Sequence, residues 1–138
     1  MTLLSTPTPA VNTANRLARY SGWYLLATGI IHNAIGLIAG GSILAGIHQD
    51  GWWNTIESAA GINFERSAIV WFLVLGFFWM LMGYLMQAWQ RETRKPLPAI
   101  IGWGLLANGI WVAIMLPASG AWLVLLQGVI LIWARRAT

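Results

Sequence analysis

Apolar residues dominate four stretches of the chain, and short polar stretches separate them. An α-helix rises 1.5 Å per residue, so about 20 apolar residues cross the roughly 30 Å hydrocarbon core of a bilayer. The pattern therefore predicts an all-α fold, a four-transmembrane-helix bundle in which the fourth span is the shortest. The predicted spans cover about residues 20–44, 67–89, 97–116 and 120–134.

Polar stretches outside the spans complete the predicted domain organisation. We predict that residues 1–19 form a flexible cytoplasmic tail and that residues 20–136 form a single four-helix membrane domain. An outer loop covers residues 45–66 and is longer than a connection between two helices needs to be.

The composition favours a membrane location. Of the 138 residues, 58% are hydrophobic and only 9% are charged, whereas about a quarter of the residues in a soluble domain are charged. Such a chain cannot cover its surface with polar groups, so we expect apolar residues to face lipid. The chain has no cysteine, which excludes disulfides, thiolate metal ligands and a cysteine nucleophile.

The basic residues predict how the spans are oriented. In a four-span chain, seven of the eight Lys and Arg residues fall on one side of the membrane, namely Arg16, Arg19, Arg91, Arg94, Lys95, Arg135 and Arg136. Cytoplasmic loops carry an excess of Lys and Arg, so both termini are predicted to be cytoplasmic. The chain is then a multi-pass protein of the cell inner membrane. The net charge of +4 is explained by this orientation and does not indicate a nucleic-acid partner.

Two apolar stretches repeat each other. Residues 22–41 read GWYLLATGIIHNAIGLIAGG, and residues 102–120 read GWGLLANGIWVAIMLPASG. Seven of the first eleven positions are identical, and the first copy has one extra residue near His32. Because both copies open a predicted helical hairpin, we interpret them as two parallel-related hairpins that arose by duplication. Chance similarity is the alternative, since apolar helices draw on few residue types.

Four polar side chains lie near the predicted middle of the membrane, and they are candidates for a ligand-binding site or an interhelical polar cluster. They are His32, Asn33, Asn108 and Gln127. Polar groups are costly in hydrocarbon, so they normally face the interior of a bundle or a wet cavity. We therefore expect all four to turn inward.

The spacing around His32 supports this orientation. Gly29, His32, Gly36 and Gly40 share one face of a helix, and small residues on such a face let two helices approach closely. One interpretation is a hydrogen-bond network between helices that fixes their packing. The other is a pocket for a lipophilic, quinone-like or sterol-like molecule, with His32 as a proton donor or acceptor. The sequence leaves both open.

No cofactor and no metal are predicted. His48 is the only other histidine and lies about four helical turns beyond His32, so the two cannot hold one haem iron between them. A haem held by His32 alone, or a pigment, is the less favoured possibility. The spacing of His48, Asp50, Glu57 and Glu65 matches no familiar metal motif. Phosphate loops, dinucleotide fingerprints and nucleophile elbows are also missing from the sequence.

The outer loop and the start of the second span form a second candidate site, made of Asp50, Trp53, Glu65 and Arg66. Asp50 is a candidate N-cap for a short helix over residues 51–60, with Gly61 as its stop. We expect this helix to lie flat on the outer membrane surface. Glu65 and Arg66 predict a local or interhelical charge pair rather than a catalytic group.

Several segments together resemble a known family. They are the single histidine of the first span, DGWWN at residues 50–54, FERSAIVWFLVLGFFWMLMGYL at residues 64–85 and MLPASGAWLVL at residues 115–125. The combination is similar to an uncharacterised bacterial family of small four-helix integral membrane proteins, a domain of unknown function. The resemblance covers residues 21–132, implies a four-span bundle with cytoplasmic ends and supplies no reaction. The positions that match its pattern are His32, Asp50, Gly51, Trp53, Glu65, Arg66, Trp71, Gly76, Gly83, Pro117, Ser119, Gly120 and Trp122.

These observations favour a non-enzymatic protein over an enzyme. We expect an accessory or assembly subunit of a larger membrane complex, in contact with the lipid bilayer and with copies of itself or other subunits. The alternative is a binding protein or enzyme for a lipophilic small molecule, with its pocket at His32. A transporter is less favoured, because four spans are few and no carboxylate lies in mid-span for proton coupling.

Overall fold

The computed structural model describes residues 15–58 and 61–136, and most of these residues are α-helical. Helical residues 15–19 come first. The helices that follow are α1 (Ser21–Ala39), α2 (Gly41–Gln49), α3 (Phe64–Thr93), α4 (Ala99–Met115) and α5 (Ala121–Arg136). A short antiparallel hairpin of β1 (Glu57–Ser58) and β2 (Gly61–Ile62) lies between α2 and α3. The all-α prediction is confirmed for this part of the chain, whereas most of the predicted tail, residues 1–14, lies outside the described residues.

Helix boundaries differ from the predicted spans most clearly at Gly40. We predicted one helix over residues 20–44, but α1 ends at Ala39 and α2 begins at Gly41. Helical hydrogen bonds still join Gly40 N to Gly36 O at 2.8 Å and Leu44 N to Gly40 O at 2.9 Å. Glycine pairs are a common cause of bends in helices. The absence of a side chain at Gly40 also matters, because a Cβ there would collide with Ile69.

Contacts among the helices divide the chain into two compact units. One unit comprises Leu26–Met82, and the other comprises Met1–Leu25 together with Gly83–Thr138. The border passes through α1 and α3, so each of these helices contributes residues to both units.

In the unit Leu26–Met82, α1 packs against the first half of α3 through glycines. A Cβ at Gly29 would lie 2.7 Å from the Gly76 carbonyl oxygen, and a Cβ at Gly36 would lie 2.7 Å from the Phe72 ring. Later residues of α1 contact earlier residues of α3, so the two helices are antiparallel. Because no side chain fits at these glycines, the two backbones approach more closely than larger residues allow.

Glycine contacts of the same kind hold the other unit together. A Cβ at Gly22 would lie 2.6 Å from the Gly83 carbonyl oxygen, which pairs the start of α1 with the last part of α3. A Cβ at Gly109 would lie 2.6 Å from the Leu125 backbone nitrogen, and a Cβ at Gly128 would lie 2.5 Å from that of Leu106. The helices α4 and α5 therefore form an antiparallel pair with backbones in close contact.

Large apolar side chains remain exposed on both units. Examples are Ile38 at 84% exposure, Ile100 at 74% and Ile114 at 71%. Among the described residues, α1 and α3 are long and apolar enough to cross a membrane, and α4 is apolar but has only 17 residues. The structure therefore contains two helices that meet the length and composition of a membrane span, where the sequence predicted four.

The described residues 51–58 of the outer loop form no helix, so the predicted helix over residues 51–60 is wrong for this part. The helix α2 continues to Gln49, with Asp50 as its C-cap rather than as the N-cap of a new helix. Gly51, Trp52 and Asn54 have φ values of +84°, +67° and +51°. Left-handed backbone values end a right-handed helix, so the chain turns here and then enters the β1–β2 hairpin.

We expect Gly109→Ala to destabilise the chain, because its Cβ would meet the backbone of Leu125. Overpacking of this kind costs about 1–3 kcal/mol. Gly104→Ala on the same helix is the matched control, since a Cβ at Gly104 meets no described atom within 4 Å. Thermal unfolding in detergent, followed by tryptophan fluorescence at a dilution that keeps the chain monomeric, measures both variants. Equal unfolding temperatures would contradict the close contact between α4 and α5.

Candidate functional site

The first candidate residue, His32, lies on α1 and packs against α3. Its Nε2 is 3.0 Å from the backbone oxygen of Phe72. A carbonyl oxygen can only accept, so Nε2 carries a hydrogen and donates it. The imidazole also stacks on the Phe72 ring, with centroids 3.7 Å apart and planes 13° from parallel, and Trp79 lies against it at 4.9 Å. His32 is therefore held by α3 through a hydrogen bond and two aromatic contacts.

The neighbouring Asn33 is buried, with 8% of its surface exposed. Its Oδ1 has no hydrogen-bond partner among the described residues, and a Cβ at Gly76 would collide with this oxygen. Oδ1 therefore lies where the β-carbon of any other residue would be, and it faces the corresponding Cα hydrogen of Gly76. Such Cα–H···O contacts contribute about 0.5–1 kcal/mol each. The absence of a side chain at Gly76 provides the space that Asn33 occupies.

The predicted glycine stripe on α1 is confirmed. Gly29, Gly36 and Gly40 are all buried and contact α3, as His32 does. The His32 region is thus a packed contact between two antiparallel helices of the unit Leu26–Met82.

Gln127 belongs to the other unit and has different partners. It lies on α5 with only 2% of its surface exposed. Its Nε2 donates to both the backbone oxygen and the Oγ of Ser21, each at 2.7 Å. One amide group therefore connects the middle of α5 to the first residue of α1. Ser21 is buried as well, so this is a polar contact in the interior of the unit.

Asn108 departs from the predicted inward orientation, because its side chain is exposed on α4. The buried face of α4 is formed by Gly102, Gly109 and Ala113. Successive helical residues are rotated by about 100°, so Asn108 lies beside this face rather than on it. The four predicted polar residues therefore separate into three settings: a contact with α3 for His32 and Asn33, a contact with Ser21 for Gln127, and an exposed surface for Asn108.

In the outer loop, Arg66 is the residue that makes the contacts. Its guanidinium forms an ion pair with Asp50, with Nη2 and Oδ2 2.6 Å apart, and Nη1 donates to the Thr55 backbone oxygen at 2.9 Å. The charge partner of Arg66 is thus Asp50 rather than its neighbour Glu65. Glu65 is exposed in the first turn of α3, where the positive end of the helix dipole stabilises a carboxylate. Trp53 is 90% exposed.

The outer loop does not assemble a metal site in the part of the chain that the structure describes. No group of three His, Cys, Asp or Glu side chains there is placed to hold an ion. The Nδ1 of His48 instead accepts a hydrogen bond of 2.9 Å from the Trp52 indole.

Two polar features escaped the sequence analysis. Ser21 was not singled out in the sequence, although it is the partner of Gln127. Gln90 donates to the Ala18 backbone oxygen at 3.0 Å. A signal for Gln90 was present, because Gly83, Gln87 and Gln90 recur at the spacing of one helix face.

The architecture defines an all-α protein whose helices pair through glycine, with two helices that suit a bilayer by length and composition. The chain belongs to a family of unknown function, DUF6463, whose model matches residues 16–138. The predicted membership of an uncharacterised family is thus confirmed, and the match also includes the basic C-terminal residues that the resemblance left out. No curated protein and no solved structure matches the chain.

We expect stability to fall in the order wild type, His32→Phe, His32→Ala. His32→Phe keeps a ring on Phe72 and removes only the hydrogen bond, which averages about 0.6 kcal/mol between helices in a membrane. His32→Ala also removes the aromatic pair, worth a further 0.5–1.5 kcal/mol or so. Unfolding by titration with a denaturing detergent gives the order. A larger loss for His32→Phe than for His32→Ala would show that ring packing is not what holds His32 in place.

Proposed function

We propose that this protein is a four-span protein of the cell inner membrane that acts as a non-enzymatic accessory or assembly subunit of a larger membrane complex. Its spans are α1, α3, α4 and α5. The last two have 17 and 16 residues, or about 25 Å each, slightly less than the hydrocarbon thickness. Tryptophan and arginine near their ends can anchor such short spans at the two interfaces.

The charge distribution supports a topology with both termini in the cytoplasm. Arg91 lies in the last turn of α3, and Arg135 and Arg136 lie in the last turn of α5. In a four-span arrangement these ends share one side, whereas the outer loop carries the Asp50–Arg66 ion pair. An excess of basic residues marks the cytoplasmic side.

Equivalent glycines support an origin by duplication. Gly22 and Gly29 of the first repeat contact α3. Gly102 and Gly109, at the same positions of the second repeat, contact α5. Each repeat thus begins an antiparallel helix pair by the same kind of backbone contact, which apolar similarity alone does not require.

The observation that carries the assembly role is an exposed face of α4. Gly104, Asn108, Trp111 and Met115 recur at the spacing of one helix face, and all four are exposed; we call them the α4 seam. Asn108 lies near the middle of α4, where an amide that faces lipid is costly. Membrane proteins instead bury such amides between helices, beside small residues.

The α4 seam contains the same residue types as the contact between α1 and α3. That contact combines Gly29 with a polar residue, Asn33, and with the aromatic rings around His32. The α4 seam combines Gly104 with Asn108 and Trp111. We infer that a transmembrane helix of another subunit covers it.

A lipophilic ligand at His32 has less support. Phe72 covers one face of the imidazole, and Nε2 donates to the Phe72 carbonyl. A ligand would have to displace both the ring contact and the hydrogen bond before it could reach this nitrogen.

Single-cysteine labelling tests the topology, and the natural chain has no cysteine to interfere. We expect Trp53→Cys to react with a membrane-impermeant maleimide in intact bacterial cells, because Trp53 is 90% exposed in the outer loop. Lys95→Cys should react only after the cells are permeabilised. Reaction of both variants in intact cells would contradict the four spans, and the reversed pattern would contradict the direction.

Substitutions in the α4 seam test the assembly role. In mild detergent, we expect the wild type from native membranes to exceed the mass of one 15.2 kDa chain. Asn108→Leu should shift the particle towards one chain because it removes the amide, and Gly104→Leu should do so by blocking close approach. Ile110→Ala is the control, because Ile110 is exposed on another side of α4. Native mass spectrometry reads the result, and a monomeric wild type would contradict the assembly role.

A further inference from the structure

A cavity of about 350 Å³ lies in the unit formed by Met1–Leu25 and Gly83–Thr138. Three segments that are distant in sequence build it: helical residues 15–19, the end of α3 with the turn that follows, and the last two turns of α5. Two hydrogen bonds join these walls. Gln90 donates to the Ala18 backbone oxygen at 3.0 Å, and Arg135 Nε donates to the Leu97 backbone oxygen at 2.8 Å.

The charge of this cavity is of one sign. Arg19, Arg94, Lys95 and Arg135 line it, and none of its described lining residues is acidic. Arg94 has a φ of +52°, which ends α3 and places Arg94 and Lys95 in the turn beside the cavity. Arg19, Arg94 and Lys95 bring like charges to one space, and an anion bound there would offset their repulsion.

Apolar side chains form another part of the lining, beside the polar Asn15 and Gln90. Leu97, Leu131 and Ala134 contribute to the walls, and all three are buried. A ligand that suits both parts carries a negative group for the basic residues and an apolar portion for these side chains. The volume of about 350 Å³ is that of a small-ligand pocket.

We propose that this cavity binds a phosphate-bearing anion, and that the phosphodiester headgroup of an anionic phospholipid is its source. Basic pockets between helices on the cytoplasmic side of a membrane bind such headgroups. The lipid source rests on the topology proposed above, which places this end of the chain in the cytoplasmic leaflet. The phosphate chemistry itself rests only on the cavity.

The test measures the affinity of the full chain, in an uncharged detergent, for dioctanoyl phosphatidylglycerol and dioctanoyl phosphatidylcholine. The double variant Arg19→Gln/Arg94→Gln should lose roughly 30-fold in affinity for phosphatidylglycerol, because two basic contacts are removed. Phosphatidylcholine has no net charge and should bind the wild type more weakly. Wild-type affinity for phosphatidylglycerol should also fall as salt is added.

Arg16→Gln/Arg91→Gln is the matched control. It removes the same charge from the same two segments, but neither residue lines the cavity. Its affinity should stay within about threefold of the wild type, since exposed charges outside the cavity are screened. If the Arg19→Gln/Arg94→Gln chain does not elute and unfold as the wild type does, Lys95→Gln is the second test variant. It too should bind phosphatidylglycerol more weakly than the wild type.

Equal losses in the two double variants would overturn the proposed anion site. Equal wild-type affinity for the two lipids would overturn it as well, since phosphatidylcholine has the same phosphodiester but no net charge. Glycerol phosphate and inorganic phosphate then distinguish the sources. Much tighter binding of phosphatidylglycerol than of glycerol phosphate supports the lipid, whereas equal binding supports a soluble phosphate anion in the same site. The measurement is made in detergent, so its failure leaves the proposed topology and assembly role intact.

Discussion

Backbone contact at glycine is the constraint on which the helix pairs of this protein depend. Gly29 against Gly76 and Gly109 against Leu125 leave no room for a β-carbon, so each pair of helices meets at the smallest available separation. Dispersion forces are weak for one atom pair and large over a long, close contact. This matters most in lipid, where the surroundings of a helix are as apolar as its side chains and packing replaces the hydrophobic effect.

The same contacts decide what the buried polar groups can do. Asn33 occupies the space that the absent side chain of Gly76 leaves, and His32 reaches the Phe72 carbonyl beside it. Gln127 reaches two oxygens of a single residue, Ser21. The polar groups of Asn33, His32 and Gln127 point into the protein. Their contacts have specific geometry and supplement the close backbone packing that glycine allows. These contacts support the packing role that we propose for them.

Sequence periodicity predicted some parts of this structure well and others not at all. The positions of the main helices and the glycine face of α1 follow from apolar length and from helical spacing. Asn108 was assigned to the wrong face because polarity was given more weight than glycine spacing; Gly102 and Gly109, seven residues apart, already marked the buried side of α4. The outer loop failed for another reason. Asp50–Gly51 is a local turn signal, and Gly51 adopts a left-handed conformation, but Asp50 was given more weight as a helix cap. Trp52 also adopts a left-handed conformation, which its residue type does not favour.

The basic cavity was beyond prediction because its walls come from segments that are far apart in sequence, and only the folded chain brings them together. Its cations had been explained by membrane orientation alone. That explanation accounts for which side the charges are on but not for why Arg19, Arg94 and Lys95 line one space with apolar walls. His32 Nε2 and Gln127 Nε2 have partners within the chain. By contrast, Arg19, Arg94 and Lys95 line a cavity whose described lining contains no acidic residue, and Asn108 is exposed on α4. These outward-facing groups are the basis of the two partners that we propose, a neighbouring helix at the α4 seam and an anionic headgroup at the basic end.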